Sequence, residues 1–269
     1  MPETPLILVH GWAGSAESWR PITAALDGLG GYRVLSVRLP GSPGSASAAP
    51  PTIGAAAEEL IALLRGLRAP AVLVGHSMGA QVTLRAHVGA PGAVLAEVVV
   101  DPAYGAFDDR EAMMRWAQRI ASGGHRALRA FFVEAGAGLP AADRAAMLAD
   151  LRATPIPVIV SYLRSEYLDA DAIGLMPASA RIAARRVSPV LSLHSTLEGV
   201  QRERRLPHPP GSRTDAWLGN GHFLHLQDPR RFARLVDGWA RRDAVRSHSG
   251  AGPDDARTIN SVGSTTGPA

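Results

Sequence analysis

Short apolar runs and longer amphipathic stretches alternate along most of this chain. Leu6-Ile7-Leu8-Val9, residues 32–37, Ala71-Val72-Leu73-Val74 and Val98-Val99-Val100 are the apolar runs of the first hundred residues. Their Val, Ile and Leu content predicts strands buried on both faces of a parallel sheet. Residues 18–29, 53–67 and 80–90 carry helical periodicity between them. Thr52 is placed to cap the second helix, and Glu58 and Glu59 near its front with Arg65 and Arg68 near its end complement the helix dipole. Strand and helix alternating at this spacing predict an α/β fold, a doubly wound, mostly parallel sheet with right-handed crossovers. Residues 39–51, rich in Pro, Gly, Ser and Ala, read as an exposed loop.

The rhythm stops at Gly105. Residues 107–121, 124–135, 140–153 and 156–168 read as helices with Met, Phe, Trp and Leu at helical spacing, and the sheet resumes at 190–194. A helical block inserted between two strands commonly lies over their carboxyl ends. Met113, Trp116 and Phe131, with Phe132, Tyr162 and Tyr167, are therefore expected to wall an apolar pocket as well as to pack helices together. A last short strand around 216–218 and a helix over 229–240 close the fold. The expected division is a core of residues 1–104 and 187–240, a helical cap of 105–186, and a disordered tail of 241–269 poor in apolar residues.

The stretch Gly75-His76-Ser77-Met78-Gly79 stands between the third strand and its helix. Gly-x-Ser-x-Gly in a strand-turn-helix context is a nucleophile elbow: the serine is held in a strained turn above a helix N-terminus, and the glycines keep side chains out of that turn. Ser77 is the candidate nucleophile. Its hydroxyl needs a base within hydrogen-bond reach, and His222, bracketed by glycine after the last strand, is the candidate; His225 is a neighbour and His76 a support of the turn. The backbone N–H of Met78, following the nucleophile, is one expected oxyanion donor.

Composition narrows the chemistry. With 269 residues the chain suits one α/β domain with a sizeable core. It has no cysteine, which excludes disulfides, thiol catalysis and thiolate metal sites. Its net charge of +4 is carried without a single lysine, and the arginines are scattered rather than set in a stripe with aromatics, so no nucleic-acid partner is expected. No apolar run approaches membrane-spanning length and no basic, cleavable leader opens the chain, so no membrane association and a cytoplasmic location are expected. The histidines lack metal-ligand spacing, and no metal and no cofactor are implied.

His10-Gly11 after the first strand, the elbow at Ser77, the strand end Asp101-Pro102 and Gly221-His222-Phe223 before the closing helix together resemble the α/β-hydrolase family, in its serine-hydrolase branch with a small helical cap. The likeness spans about residues 6 to 240. It implies a Ser-acid-His triad in that chain order and a second oxyanion donor at the N–H of Trp12, whose ring would also wall the pocket. The acid has two candidates. Asp101 ends the strand after the elbow helix, where some members carry it; Glu198 lies near the later position, in a segment where Ser195 replaces the usual glycine and no aspartate follows. Asp101 is preferred, with Glu198 the alternative. Arg38-Leu39-Pro40-Gly41-Ser42 departs from the Asp-x-x-Gly-His common in relatives, which puts that loop's internal bonding in question.

The resemblance implies a hydrolase acting on a small-molecule carboxylic ester, aryl ester, lactone or thioester through an acyl-enzyme. The alternatives are an acyltransferase, a cofactor-independent dioxygenase or lyase on the same triad, and a non-catalytic small-ligand binding protein. Sequence alone identifies neither the acyl and leaving groups nor the oligomeric state.

Overall fold

The computed structural model describes residues 3–106 and 109–241. Six strands, β1 Thr4–Val9, β2 Tyr32–Val37, β3 Ala71–His76, β4 Val94–Val100, β5 Val190–His194 and β6 Arg213–Ala216, form one sheet in the order β2-β1-β3-β4-β5-β6. Every pairing is parallel. The order reverses next to β1, so the carboxyl ends of β1 and β3 flank the crevice that such sheets offer to ligands.

Alternation along the central strands builds the two layers. Leu6, Leu8, Val72 and Val74 belong to one buried cluster with Trp19, Phe232 and Trp239. Ile7, Val9, Ala71 and Leu73 belong to another with Leu60, Ile61 and Leu64. Successive side chains point to opposite faces, and each fully buried Leu or Ile contributes about 1.5–3 kcal/mol. The helices that cover these faces are α1 Arg20–Asp27, α2 Ile53–Gly66 and α3 Met78–Gly89. Thr52 caps α2 as expected, its hydroxyl accepting from Ala55 N–H at 3.2 Å.

Between β4 and β5 lie α4 Arg110–Ala135, α5 Ala141–Ala153, α6 Ile156–Tyr167 and α7 Ala178–Ala183. The expected break between two helices at residue 124 is a kink inside α4, where Gly124 adopts φ 59°, a left-handed value open to glycine. Tyr162, expected in the pocket, packs instead with the α2 layer, its hydroxyl donating to the Pro40 carbonyl at 2.9 Å. The remaining helices are α8 Leu197–Glu203, α9 Leu224–Gln227 and α10 Pro229–Trp239. The tail expected over 241–269 lies, after Arg241, outside the described residues, as do the first two residues of the helix expected over 107–121. No single helix among the described residues is long and apolar enough to cross a membrane.

Two departures have clear causes. β6 ends at Ala216, where the expected apolar Ala-Trp-Leu stretch begins, and its Arg, Thr and Asp are tolerated because it is an edge strand with no buried residue. β4 extends back through Glu97, a residue that argues against a buried strand. Its carboxylate is fully buried among Thr83 Oγ1 at 2.7 Å, His87 Nδ1 at 3.0 Å and Arg186 Nε at 3.0 Å. Burial would raise the Glu97 carboxyl, but Arg186 and then His87 outweigh it and hold it at about 2.

Close backbone approach joins α3 to β1. A Cβ on Gly79 would lie 2.4 Å from the Val9 carbonyl oxygen and 2.6 Å from that of His10. Neither backbone can yield, so Gly79→Ala is expected to destabilise the fold by about 1–3 kcal/mol or more, read as a lower midpoint of thermal unfolding; an unchanged midpoint would show that the approach is not tight.

Candidate active site

Ser77 follows β3 and precedes α3, with φ 52° and ψ −118°. Non-glycine residues hold such angles only where surrounding structure enforces them. Here Ser77 N–H donates to the Val100 carbonyl at 2.9 Å, while the Ser77 carbonyl accepts from Ala80 and Ala103 N–H. Gly75 allows the turn: a Cβ there would meet Ala80 Cα, the Gly79 carbonyl and Thr83 Oγ1, each at 2.7 Å. Met78 opens α3, so its N–H has no acceptor within the helix. Gly11 brings the loop after β1 alongside, its own missing Cβ only 3.2 Å from Ser77 Cβ. Trp12 follows, and its indole N–H donates to the Ile159 carbonyl at 2.9 Å, tying this loop to α6.

The loop of residues 38–42, which departs from the common pattern, is secured by other means. Leu39 N–H donates to His10 Nε2 at 3.4 Å, His10 Nδ1 donates to the Gly11 carbonyl at 2.9 Å, and Arg38 pairs with Glu17.

His222 Nδ1 lies 2.7 Å from Asp101 Oδ2. Asp101 directly follows β4 in a left-handed conformation, φ 44°, and its carboxylate also accepts Ser195 N–H at 3.0 Å on Oδ1 and Ser195 Oγ at 2.9 Å on Oδ2. Burial pushes the Asp101 carboxyl up, but the His222 ring and the two Ser195 donors prevail and hold it below its ordinary value. Glu198 is elsewhere: its side chain is 78% exposed and paired with Arg202 one turn along α8. Ser195, which the sequence marks only as a departure, is thus an anchor of the Asp101 carboxylate.

Three imidazoles gather here. The His76 ring packs, tilted, against those of His222 and His225 at centroid distances of 4.7 and 4.6 Å. His76 Nε2–H donates to the His222 carbonyl at 3.0 Å, which binds the His222 loop to the elbow. Burial, then His225 and His222, holds His76 well below the usual histidine range, and burial with His222 brings His225 to about 3. Of the three, His222 alone is hydrogen-bonded to a carboxylate among the described residues. Those bonds of His222 go to Asp101 and His76, not to Ser77.

Ser77 and His222 line one cavity of about 270 Å³ with Trp12, Met113, Trp116 and Phe131. Phe132 and Tyr167 also line it, whereas Tyr162 does not. Aromatic edges close one side, with Phe131 and Phe132 in T-shaped contact at 5.5 Å and Trp12 at 6.0 Å from Phe132. A larger cavity of about 580 Å³ contains neither Ser77 nor His222 and shares Trp12, His76, Phe132 and Phe223 with the first as a dividing wall.

The sequence profile of the alpha/beta hydrolase family matches residues 6–235. The chain belongs to this family. Among solved structures this α/β-hydrolase is similar to the esterase RhEst1 from Rhodococcus sp. ECU1013, at 24% identity and TM-score 0.71, over 90% of this chain and 91% of that one. It is also similar to MenH from S. aureus, at 15% identity and TM-score 0.75 over 90% and 95% of the two chains. The esterase EaEST from Exiguobacterium antarcticum aligns at 14% identity and TM-score 0.76 over 89% and 92%. These likenesses concern the fold. A comparison with curated proteins gave no match.

Removing one donor to the Asp101 carboxylate has a definite sign. A carboxyl held below its unfolded value contributes stability that is present above the ordinary carboxylate range and lost as pH falls through its folded pKa. Ser195→Ala should therefore move the Asp101 carboxyl upward, so that this stability is lost at higher pH, as followed by carboxyl-carbon NMR titration. A downward or absent movement would show that Ser195 does not hold the charge.

Proposed function

We propose that this α/β-hydrolase is a serine hydrolase that cleaves a carboxylic ester, aryl ester, lactone or thioester through an acyl-enzyme on Ser77. The observation that carries the reading is the 2.7 Å contact of His222 Nδ1 with Asp101, beside the strained Ser77 and in the same cavity. A partly buried carboxylate on Nδ1–H fixes the tautomer that leaves Nε2 free to accept a proton, and it stabilises the imidazolium that forms.

Ser77 Oγ attacks the acyl carbon while His222 Nε2 takes its proton. Charge develops on the carbonyl oxygen, which the N–H groups of Met78 and Trp12 stabilise; one such donor is worth about 2.7–4 kcal/mol. His222 returns the proton to the leaving oxygen or sulfur, and a water repeats the sequence on the acyl-enzyme. Serine–histidine hydrogen bonds are often long before substrate arrives and tighten in the Michaelis complex, which accommodates His222 bonding elsewhere. Met113, Trp116 and Phe131 would receive the apolar part of the substrate.

Fluorophosphonate labelling and ester turnover test this together. Wild type should label and Ser77→Ala should not. Asp101→Asn should lower kcat on a p-nitrophenyl ester by on the order of 10⁴, with Glu198→Gln close to wild type. Folded wild-type protein that neither labels nor turns over would instead favour a binding protein. Labelling without hydrolysis would favour acyl transfer or a lyase reaction on the same triad.

A further inference from the structure

Glu166 is a buried carboxyl that the reaction just described does not use. It sits on α6, is 3% exposed, and lines the same cavity as Ser77 and His222. Its nearest polar partner across the helices is Gln81 of α3, whose Nε2 approaches Glu166 Oε2 at 3.4 Å while making its shorter bond, 2.7 Å, to the Ala103 carbonyl. Gln81 Oε1 is buried without a hydrogen-bond partner among the described residues. Tyr167, next on α6, spends its hydroxyl on the same Ala103 carbonyl at 3.0 Å.

Charged and titratable groups around it offer no compensation. Arg85, one turn beyond Gln81 on α3, is paired with Asp171 at 3.0 Å. His76 and His222 stand across the cavity, the first kept neutral by burial and the second bonded to Asp101. Tyr162 and Tyr167 on α6 are both pushed above the usual phenol range, by burial first, then by Glu59 and Glu166 for Tyr162 and by Glu166 for Tyr167. Burial raises Glu166 to about 8, against the opposing influence of the neighbouring Tyr167 hydroxyl. Burial thus favours the protonated carboxylic acid, with an O–H to give, near neutral pH.

Its place relative to the nucleophile is set by α3. Gln81 follows Ser77 by four residues, about one helical turn, and Glu166 meets Gln81 from the cap side. An acyl group on Ser77 that extends through this cavity passes aromatic walls, and Glu166 lines the same cavity.

We propose that Glu166 is a specificity-determining residue, donating a hydrogen bond to a neutral oxygen acceptor on the acyl chain, so that the preferred substrates are esters or thioesters of keto- or similarly oxygenated apolar acids rather than of plain alkanoic or anionic ones. This rests on the acyl-enzyme reading above. An anionic acyl group would be repelled once Glu166 ionises and finds no cation among the lining residues.

The test compares p-nitrophenyl levulinate, whose acyl chain carries a γ-keto oxygen, with p-nitrophenyl valerate, of equal chain length. The readout is the ratio of their kcat/KM values, in which effects of folding and of the steps common to both esters cancel. Wild type should favour levulinate by roughly tenfold at pH 6.5, as expected for one hydrogen bond to a buried donor. That preference should fade above pH 8 as the carboxyl loses its proton. Glu166→Gln retains an N–H donor that does not titrate, so its preference should persist at pH 9.5; Glu166→Leu should have none at any pH. A wild-type ratio near one at pH 6.5, a ratio flat from pH 6.5 to 9.5, or a preference surviving in Glu166→Leu would each overturn the assignment. Enzyme that cleaves neither ester and fails to label at Ser77 overturns the acyl-enzyme reading as well, whereas labelled enzyme with an unselective ratio overturns the role of Glu166 alone.

Discussion

The site depends on how closely backbone can approach backbone around Ser77. Three glycines leave room for three segments to meet: Gly75 against the first turn of α3, Gly79 against the end of β1, and Gly11 against Ser77 itself. A Cβ on Gly79 or Gly75 would stand 2.4–2.7 Å from the nearest backbone atoms, distances that repulsion forbids, and one on Gly11 would crowd Ser77 Cβ at 3.2 Å. The approach puts the N–H of Met78 and the loop carrying Trp12 beside the same serine. The strain at Ser77 persists because β4 and the segment at Ala103 hold its amide and carbonyl.

Electrostatics then separates side chains that chemistry alone would treat alike. Three histidines share one cluster, and burial with mutual repulsion disfavours charge on His76 and His225. The carboxylate of Asp101 reaches only one ring, and it is itself held by the two donors of Ser195. His76 serves the arrangement through its tie to the His222 carbonyl. The same low dielectric that disfavours charge on two imidazoles also disfavours it on the Glu166 carboxyl.

Away from the cavity, a second polar cluster locks the cap to the sheet. Arg186, which follows α7, reaches Glu97 of β4 and donates to the Tyr104 hydroxyl at 2.8 Å. Both ends of the inserted helical segment are thereby fixed, one through Tyr104 at its entry and one through Arg186 at its exit. Trp12 and Tyr162 tie its middle to the core through the Ile159 and Pro40 carbonyls. Cap position therefore bears directly on the loop that carries Trp12.

The sequence by itself determined the strands that are apolar on both faces, the elbow with its glycines, and Ser77 and His222 as the pair to watch, because periodicity and steric need are local and leave marks at fixed spacing. The Thr52 cap and the break at Gly124 were legible for the same reason. Only tertiary structure chose Asp101 over Glu198 as the partner of His222, since both end strands or begin helices in plausible places and distance alone separates them. It also decided that Ser195 holds Asp101, that Tyr162 leaves the pocket for Pro40, that Glu97 lies inside a strand, and that Glu166 is buried rather than solvated. In each case the deciding quantity is which groups from distant segments share a volume from which water is excluded, and no spacing along the chain encodes that.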